Sequence, residues 1–238
     1  MGKKAVILAG GLGTRLKPFT EIIPKPLLPI GEKSVLEIQI EHLKQNGFDE
    51  IYLATNYKSD YIEKFFGDGS RYGVRITVSK EREPLGTVGP LALLKDQLTE
   101  PFLVMNGDIL TLLDLSSLYE FAIRKDTLLT VTIKELITPY QFGTITCDGD
   151  YVLSIEEKPN IKMKILAGIY IFKPGIFSII PDKQFYGMDS LMNDMLKQKT
   201  GITKYDINEY WLDIGQIDDF EKAQEIYNNH FVKNGTND

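Results

Sequence analysis

Ala5-Val6-Ile7-Leu8-Ala9-Gly10-Gly11-Leu12-Gly13-Thr14-Arg15-Leu16 is a short apolar run that empties into a glycine-rich turn. An apolar run of this length bounded by glycine reads as a buried strand, since a helix needs a longer apolar period. A glycine run after a strand lets backbone N–H groups approach a phosphate or a base without interference from a Cβ. Two familiar phosphate loops are excluded. The Walker pattern closes on Gly-Lys-Ser/Thr, and this chain has Gly13-Thr14-Arg15 there. The dinucleotide fingerprint needs a third glycine where Leu16 stands. Taken alone, the segment is equally an ordinary glycine turn.

The residues after the turn narrow the choice. Arg15 precedes Pro18, Pro24-Lys25-Pro26 and Pro29. Proline restricts the backbone, so Arg15 and Lys25 are held with less ordering entropy, and two positioned cations beside a glycine cradle suit a triphosphate. Further on, the pattern predicts a helix over 35–43 ended by Asn46-Gly47, and a strand over 51–55. A short helix over 61–66 is stopped by Gly67, and a strand comes next over 74–78. A helix is expected over 88–98, then a strand over 102–105 that ends at Asn106-Gly107-Asp108. Strands alternating with helices predict a parallel sheet of crossover units. Such sheets bind ligands beyond the carboxyl ends of their strands, where both Gly10 and Asp108 fall.

A helix over 115–125 and a strand over 128–133 continue the pattern. From about 140 to 173 the texture changes to short strands and turns, over 143–146, 151–156 and 165–172, with Asp148-Gly149-Asp150 between the first two. This predicts a hairpin-rich β layer across the main sheet. Two more helices are expected, over 189–198 and 217–229. A single domain is expected over residues 1–232, with a polar, frayed tail at 233–238. Its 238 residues, 43% of them hydrophobic, suffice for one large α/β core.

The formal net charge is −6, with both signs interspersed and no basic tract, which excludes a nucleic-acid footprint. A polyanionic substrate must then be held by local cations, backbone N–H groups and a metal. Cys147 is the only cysteine, so no intrachain disulfide forms, and this fits a reducing cytoplasm. The first apolar run is too short for a secretory segment, Val6 breaks the myristoylation pattern, and no stretch reaches membrane-spanning length. A cytoplasmic protein with no membrane partner is expected.

Two carboxylates stand out. Asp108 closes the fourth strand, where an Asp is also a common turn former or helix cap. Asp213, in Trp211-Leu212-Asp213-Ile214-Gly215, closes a short β run before the last helix. Together on adjacent loops they would suit Mg²⁺, which prefers hard oxygen ligands shared with substrate phosphates. His42, on the first amphipathic helix, and His230, near the end of the chain, carry no expected role. Trp211 is expected to pack beneath Asp213.

The stretch Leu8-Ala9-Gly10-Gly11-Leu12-Gly13-Thr14-Arg15-Leu16, with Pro18, Thr20, Pro24-Lys25-Pro26 and Pro29, resembles the signature of the sugar-1-phosphate nucleotidyltransferases, the nucleotide-sugar pyrophosphorylases. The resemblance runs from about residue 4 to 230. It implies an α/β fold, a three-layer Rossmann-like, mostly parallel sheet with a hairpin-rich sugar-binding layer, with residues 1–110 mainly binding nucleotide and 111–232 mainly sugar and metal. It also implies nucleotide contacts at Leu8, Ala9, Gly10, Gly11, Gly13 and Thr14, catalytic roles for Arg15 and Lys25, and Mg²⁺ on Asp108 and Asp213. The sugar phosphate would fall to Asn106, Gly143, Glu157, Lys158 and Gly168, with Glu157 on a sugar hydroxyl and Lys158 on the 1-phosphate.

Glu83-Pro84-Leu85-Gly86-Thr87-Val88-Gly89-Pro90 resembles that family's second glycine segment, whose Pro84, Gly86 and Thr87 would flank the nucleobase. It looks more like the mannose- and heptose-phosphate guanylyltransferases than the thymidylyltransferases. Glu81 stands where the family often reads the base. A carboxylate only accepts hydrogen bonds, and guanine offers two adjacent donors, so GTP is the expected nucleotide; a solvent-facing Glu81 is the alternative. Residues 160–167 and 186–187 are expected to shape the sugar pocket. The short form implies no hexapeptide-repeat domain, and the family suggests a homodimer. Two rivals stay open: the same reaction with dTTP, UTP or CTP and another sugar phosphate or phosphorylated alcohol, and a non-catalytic ligand-sensing homologue. Against the last, Arg15, Lys25, Asp108 and Asp213 are all present.

Overall fold

Side chains alternate across the first strand, Lys3–Leu8 (β1): Ala5 and Ile7 enter one core and Val6 another, and all three are fully buried. A strand buried on both faces must have helices above and below it. The computed structural model describes residues 2–56 and 58–230 and shows that arrangement. The tail expected at 233–238 lies outside the described residues.

After β1 come the short strands Pro29–Ile30 (β2) and Lys33–Ser34 (β3), then Phe48–Thr55 (β4), Arg75–Lys80 (β5), Phe102–Asn106 (β6) and Ile109–Thr111 (β7). The second half holds Leu129–Pro139 (β8), Thr144–Asp148 (β9), Tyr151–Glu156 (β10), Asn160–Phe172 (β11), Ile202–Asp206 (β12) and Trp211–Asp213 (β13). The helices are Phe19–Ile22 (α1), Val35–Gln45 (α2), Ser59–Phe66 (α3), Leu115–Arg124 (α4), Met188–Lys197 (α5) and Ile217–His230 (α6).

The main sheet has seven strands in the order β12-β8-β11-β6-β1-β4-β5. β1 pairs in parallel with β4 and β6, β4 with β5, and β8 with β12. β11 runs antiparallel to both of its neighbours, β6 and β8, so it is the one reversed strand of a mostly parallel sheet. Helices α2, α3 and α4 cover one face through Leu36, Ile40, Leu43, Ile62, Phe66 and Leu118. The other face is covered by α5, with Leu191 and Met195, and by Leu91, Leu94 and Ile176. A third cluster packs α6 against β2, β7 and β13 through Ile30, Leu110, Ile214 and Ala223.

Two segments differ from expectation. Residues 88–98 do not form an α-helix; Gly89–Leu94 is a 3₁₀ turn, opened by Gly89-Pro90. Its bonds run from Leu91 N to Val88 O and from Lys95 N to Ala92 O, while Gly89 N turns outward to Tyr186 O. The β texture of 140–173 divides in two. β9 and β10 pair only with each other, and β10 is exposed along its whole length. β11 instead begins in an exposed arm with β8 and ends as a buried member of the main sheet. Its 13 residues are a longer strand than the expected 165–172.

Helix α2 obeys its sequence closely. Ser34 caps it, its hydroxyl accepting from Glu37 N while Glu37 Oε2 accepts from Ser34 N, a reciprocal capping box. His42, one turn from the helix end, is half-buried and its Nε2 lies 2.8 Å from Leu113 O. A carbonyl only accepts, so this nitrogen carries the proton. Burial holds the His42 pKa below its ordinary 6.5, although the Leu113 carbonyl and the charge of Asp114 oppose the shift. The unfolded chain therefore binds a proton at a pH where the folded chain does not, so the His42 contribution is complete above 6.5 and is lost as pH falls toward the folded value. The urea midpoint of the wild type should fall between pH 7 and pH 5.5, and by less in His42→Gln; equal slopes in the two proteins would remove His42 as the cause.

Candidate active site

The strand pair β7–β13 brings Asp213 and the Asp108 turn together. Asp213 pairs with Ile109, and Ile214 N donates to Asp108 O at 2.9 Å. Thr111 Oγ1 donates to Tyr210 O at 2.8 Å and secures the far end of the same pair. Residues far apart in sequence thus present neighbouring carboxylates, as the electrostatics record. The Asp213 pKa is pushed above its ordinary value of 3.8, first by desolvation and then by the charge of Asp108, while Lys25 and Arg15 pull it down.

Lys25 Nζ donates to Asp108 Oδ2, with the two side chains only 12% and 25% exposed. The other oxygen, Oδ1, is buried and accepts no hydrogen bond from any described residue. A buried carboxylate oxygen left without a donor is an anomaly in a folded protein. A hard cation would resolve it. Among the described residues no cluster of three His, Cys, Asp or Glu side chains could hold a metal by itself. Asp108 and Asp213 therefore fit a cation that takes its remaining ligands from water or phosphate, as Mg²⁺ does.

The glycine turn closes around the same point. Gly13 has φ +61°, and a Cβ there would come within 2.7 Å of Thr20 Cγ2 and 3.0 Å of Lys25 Cβ. Only glycine meets both conditions. Thr20 Oγ1 donates to Gly13 O at 2.8 Å. Thr14–Leu16 then forms a 3₁₀ turn that leaves Thr14 and Arg15 exposed and Leu16 buried. Lys25 opens a second such turn, Lys25–Leu27, with Pro26 inside it and Leu28 N bonded to Lys25 O. The guanidinium of Arg15 lies near Gly215, 3.8 Å from where a Cβ would stand, and Asp213 Oδ1 lies 3.7 Å from the same point.

A cleft of about 380 Å³ opens beside these groups. Leu8, Gly10 and Gly11 line it together with Asn106 and Asp108, and with Glu81, Pro84, Gly86 and Thr87. Ala9 does not line it; this residue is buried in the core and its N–H donates to Ala54 O. Glu81 is half-buried, with Oε2 accepting from Leu85 N at 2.8 Å and Oε1 facing Gly10. Burial raises its pKa above 4.5, and the Leu85 N–H acts in the opposite direction. The Thr87 hydroxyl accepts from Met188 N at 2.8 Å, so it also ties down the start of α5.

The remaining residues expected to meet the sugar phosphate divide. Gly168, at φ +71°, lies directly under Asn106: a Cβ would come 2.7 Å from Asn106 Nδ2. Gly143 lies against Glu157, 2.9 Å from Oε2 to a Cβ position. Gly143, Glu157 and Lys158 are all exposed at the base of the β9–β10 hairpin and are not among the residues that line the cleft. Tyr186, expected to help shape the sugar pocket, is tied to the segment 85–89: its N donates to Leu85 O and its O accepts from Val88 N and Gly89 N. Trp211 is half-buried, and its Nε1 donates to Ala167 O at 2.8 Å, linking β13 to β11.

Sequence reasoning missed Asn56 and Phe185, which also line the cleft, and Gln39 beneath it. Asn56 stands just beyond β4, so the rule that ligands gather at carboxyl ends of strands would have found it. Nothing local marks Phe185 or Gln39; both arrive through tertiary packing.

Residues 4–230 match the family described as Nucleotidyl transferase. The chain is 34% identical over 232 residues to the mannose-1-phosphate guanylyltransferase catalytic subunit beta of Xenopus tropicalis, covering 94% of this chain and 64% of that protein. It is 34% identical over 242 residues to the UTP–glucose-1-phosphate uridylyltransferase of Synechocystis sp., covering 92% of this chain and 62% of that one. The chain therefore spans a little under two thirds of the length of these curated relatives. Among solved structures, HddC from Yersinia pseudotuberculosis complexed with GMP-PN superposes with a TM-score of 0.75 at 32% identity, covering 95% of this chain and 100% of that chain. Because the match runs through every segment that builds the cleft, the chain belongs to the nucleotidyl transferase family.

Proposed function

We propose that this protein transfers a nucleoside monophosphate from a nucleoside triphosphate, GTP, to a sugar 1-phosphate of the mannose or heptose type, releasing pyrophosphate. The observation that carries this reading is the convergence of Asp108, Asp213, Lys25 and Arg15 beside the first glycine turn. The names of the relatives support it: mannose-1-phosphate guanylyltransferases recur among them, and the solved HddC is complexed with GMP-PN. Residues 1–110 would mainly hold the nucleotide and 111–232 the sugar and metal.

Nucleotidyl transfer needs positioning and charge neutralisation more than acid–base groups. A phosphate monoester has a second pKa of about 6 and is largely dianionic at neutral pH, so it attacks without a general base. An oxygen of the sugar 1-phosphate forms a bond to the α-phosphorus in line with the α–β bridging bond. That bond breaks, and its electron pair leaves with pyrophosphate. Asp108 and Asp213 would hold Mg²⁺, which when bound supplies a Lewis acid that offsets the charge of the two phosphorylated reactants. Lys25, fixed by its proline-bounded turn, stabilises charge on the transferring group, and Arg15 holds the leaving pyrophosphate. Lys158 anchors the 1-phosphate and Glu157 a sugar hydroxyl, which requires the β9–β10 arm to meet the cleft in the loaded state. Glu81 accepts from the two donors of guanine with the lone pairs that Leu85 leaves unused.

Pyrophosphate release measured across GTP, dTTP, UTP and CTP, each with mannose, heptose and glucose 1-phosphates, tests the whole reading; equal rates with all four triphosphates would remove the assignment of GTP. Glu81→Gln should lower kcat/KM for GTP by about ten- to a hundredfold, the range of a hydrogen bond to a charged group, and leave UTP turnover nearly unchanged.

Lys25→Ala should lower turnover by at least about a hundredfold, and Asp108→Asn should abolish Mg²⁺-dependent activity. Full activity in either variant would move the chemistry elsewhere.

Asp213 gives a test of opposite sign. Its raised pKa means the folded state binds the proton more tightly than the unfolded state, so ionised Asp213 destabilises the cation-free fold at neutral pH. Asp213→Asn should raise the melting temperature of the cation-free protein at pH 7 while stopping turnover; a lowered melting temperature would contradict the electrostatic account.

A further inference from the structure

We propose that Gln39, a residue of α2, is a positioning residue for the cation-binding turn. Its side chain is only 3% exposed. Nε2 donates to Asn106 O at 2.9 Å and to Ile109 O at 2.8 Å. These two carbonyls stand on either side of Asp108, so one amide group spans the turn that carries the carboxylate. The turn is also close against β1: a Cβ on Gly107 would come 2.8 Å from Leu8 O, and Gly107 N donates to Leu8 O at 3.0 Å. The Asp108 turn is therefore held both by the end of β1 and by the Gln39 amide.

The grip is transmitted from a rigid base. Helix α2 is capped by Ser34 and Glu37, and Glu37 Oε1 accepts from Tyr72 OH at 2.8 Å. One turn further on, His42 holds Leu113 O, and Asn46 Oδ1 accepts from Ser116 N. Gln39 Oε1 is buried and accepts no hydrogen bond from any described residue. The flipped amide is excluded, because it would turn Oε1 toward the two carbonyl oxygens of Asn106 and Ile109, with no donor there. A buried acceptor without a donor is destabilising, so a role confined to stability is poorly served by this side chain. Its geometry serves the placement of Asp108 Oδ1, the other buried and unpartnered oxygen at this point. Groups that orient a cation ligand without touching the cation change affinity or activity by about ten- to a hundredfold when removed.

This inference rests on the reading of Asp108 as a cation ligand, and the test separates the two. Mn²⁺ binding to the full chain, monitored by electron paramagnetic resonance, needs no turnover. Gln39→Met keeps the length and apolar burial and removes both donors. Its half-saturating Mn²⁺ concentration should rise about ten- to a hundredfold, and in pyrophosphate release its kcat should fall by more than its KM for GTP rises. His42→Leu cuts the neighbouring tie of the same helix and should lower the melting temperature without shifting Mn²⁺ affinity. Gln39→Asn, which keeps an amide too short to reach both carbonyls, provides the same comparison should Gln39→Met fail to fold. Wild-type Mn²⁺ affinity in the folded Gln39 variant, an equal shift in His42→Leu, or a wild type that binds no Mn²⁺ would overturn the proposal. A wild type that binds Mn²⁺ but transfers no nucleotide would sink the proposed function alone.

Discussion

Asp108 and Asp213 repel one another, and the strands that carry them cannot relieve the repulsion by moving apart. β7 and β13 are paired, Ile214 is bonded to the Asp108 carbonyl, and Leu110 and Ile214 are buried beneath α6. The charge has to be answered where it stands. Lys25 answers half of it through one oxygen of Asp108. Arg15 and Lys25 together moderate Asp213 without restoring its ordinary acidity. Much of the first thirty residues reads as scaffolding for that answer. The glycine turn lets Lys25 lie close against Gly13, the prolines hold the lysine turn, and Leu16, Leu28 and Ile30 sink the loop into the core shared with α6.

The elements of the first half of the chain are legible in the sequence because their signals are local. β1, β4, β5 and β6 are short apolar runs bounded by glycine or polar residues, and α2 carries its apolar spacing in the eleven residues that follow its cap, Ser34. The segment at Gly89–Leu94 imitates an α-helix because Leu91, Leu94 and Leu98 have helical spacing, whereas Gly89-Pro90 and the bond to Tyr186 decide the backbone. β11 extends beyond its sequence signal for another reason. Residues 160–164 are exposed, and Ile161 and Met163 only alternate with polar residues there, without the nearly continuous apolar run of 165–172. The convergence of Asp108 with Asp213 depends on the pairing of β7 and β13, which no spacing argument reaches; only the family resemblance points to it from the sequence.

Polar side chains inside the core do much of the fine placement. Gln39 and His42 reach from one face of α2 to three carbonyls between residues 106 and 113. Thr111 and Trp211 add bonds from the same region to Tyr210 and Ala167. Apolar packing fixes how far the helix stands from the sheet, and it tolerates sliding. Directed bonds to carbonyls do not tolerate sliding, and they are concentrated where a misplacement of the carboxylates would matter most.

The reversed strand has a consequence for how the molecule comes into being. β6 sits between β1 and β11, so the middle of the sheet is incomplete until residue 172 is available, and the second carboxylate belongs to a strand that ends at 213. A nascent chain emerging from the ribosome can assemble β1, β4 and β5 early. It carries its glycine turn for most of translation without being able to present the two acids together. The charged centre is thus one of the last features to form, and a truncated product would retain much of the cleft lining while lacking the paired carboxylates.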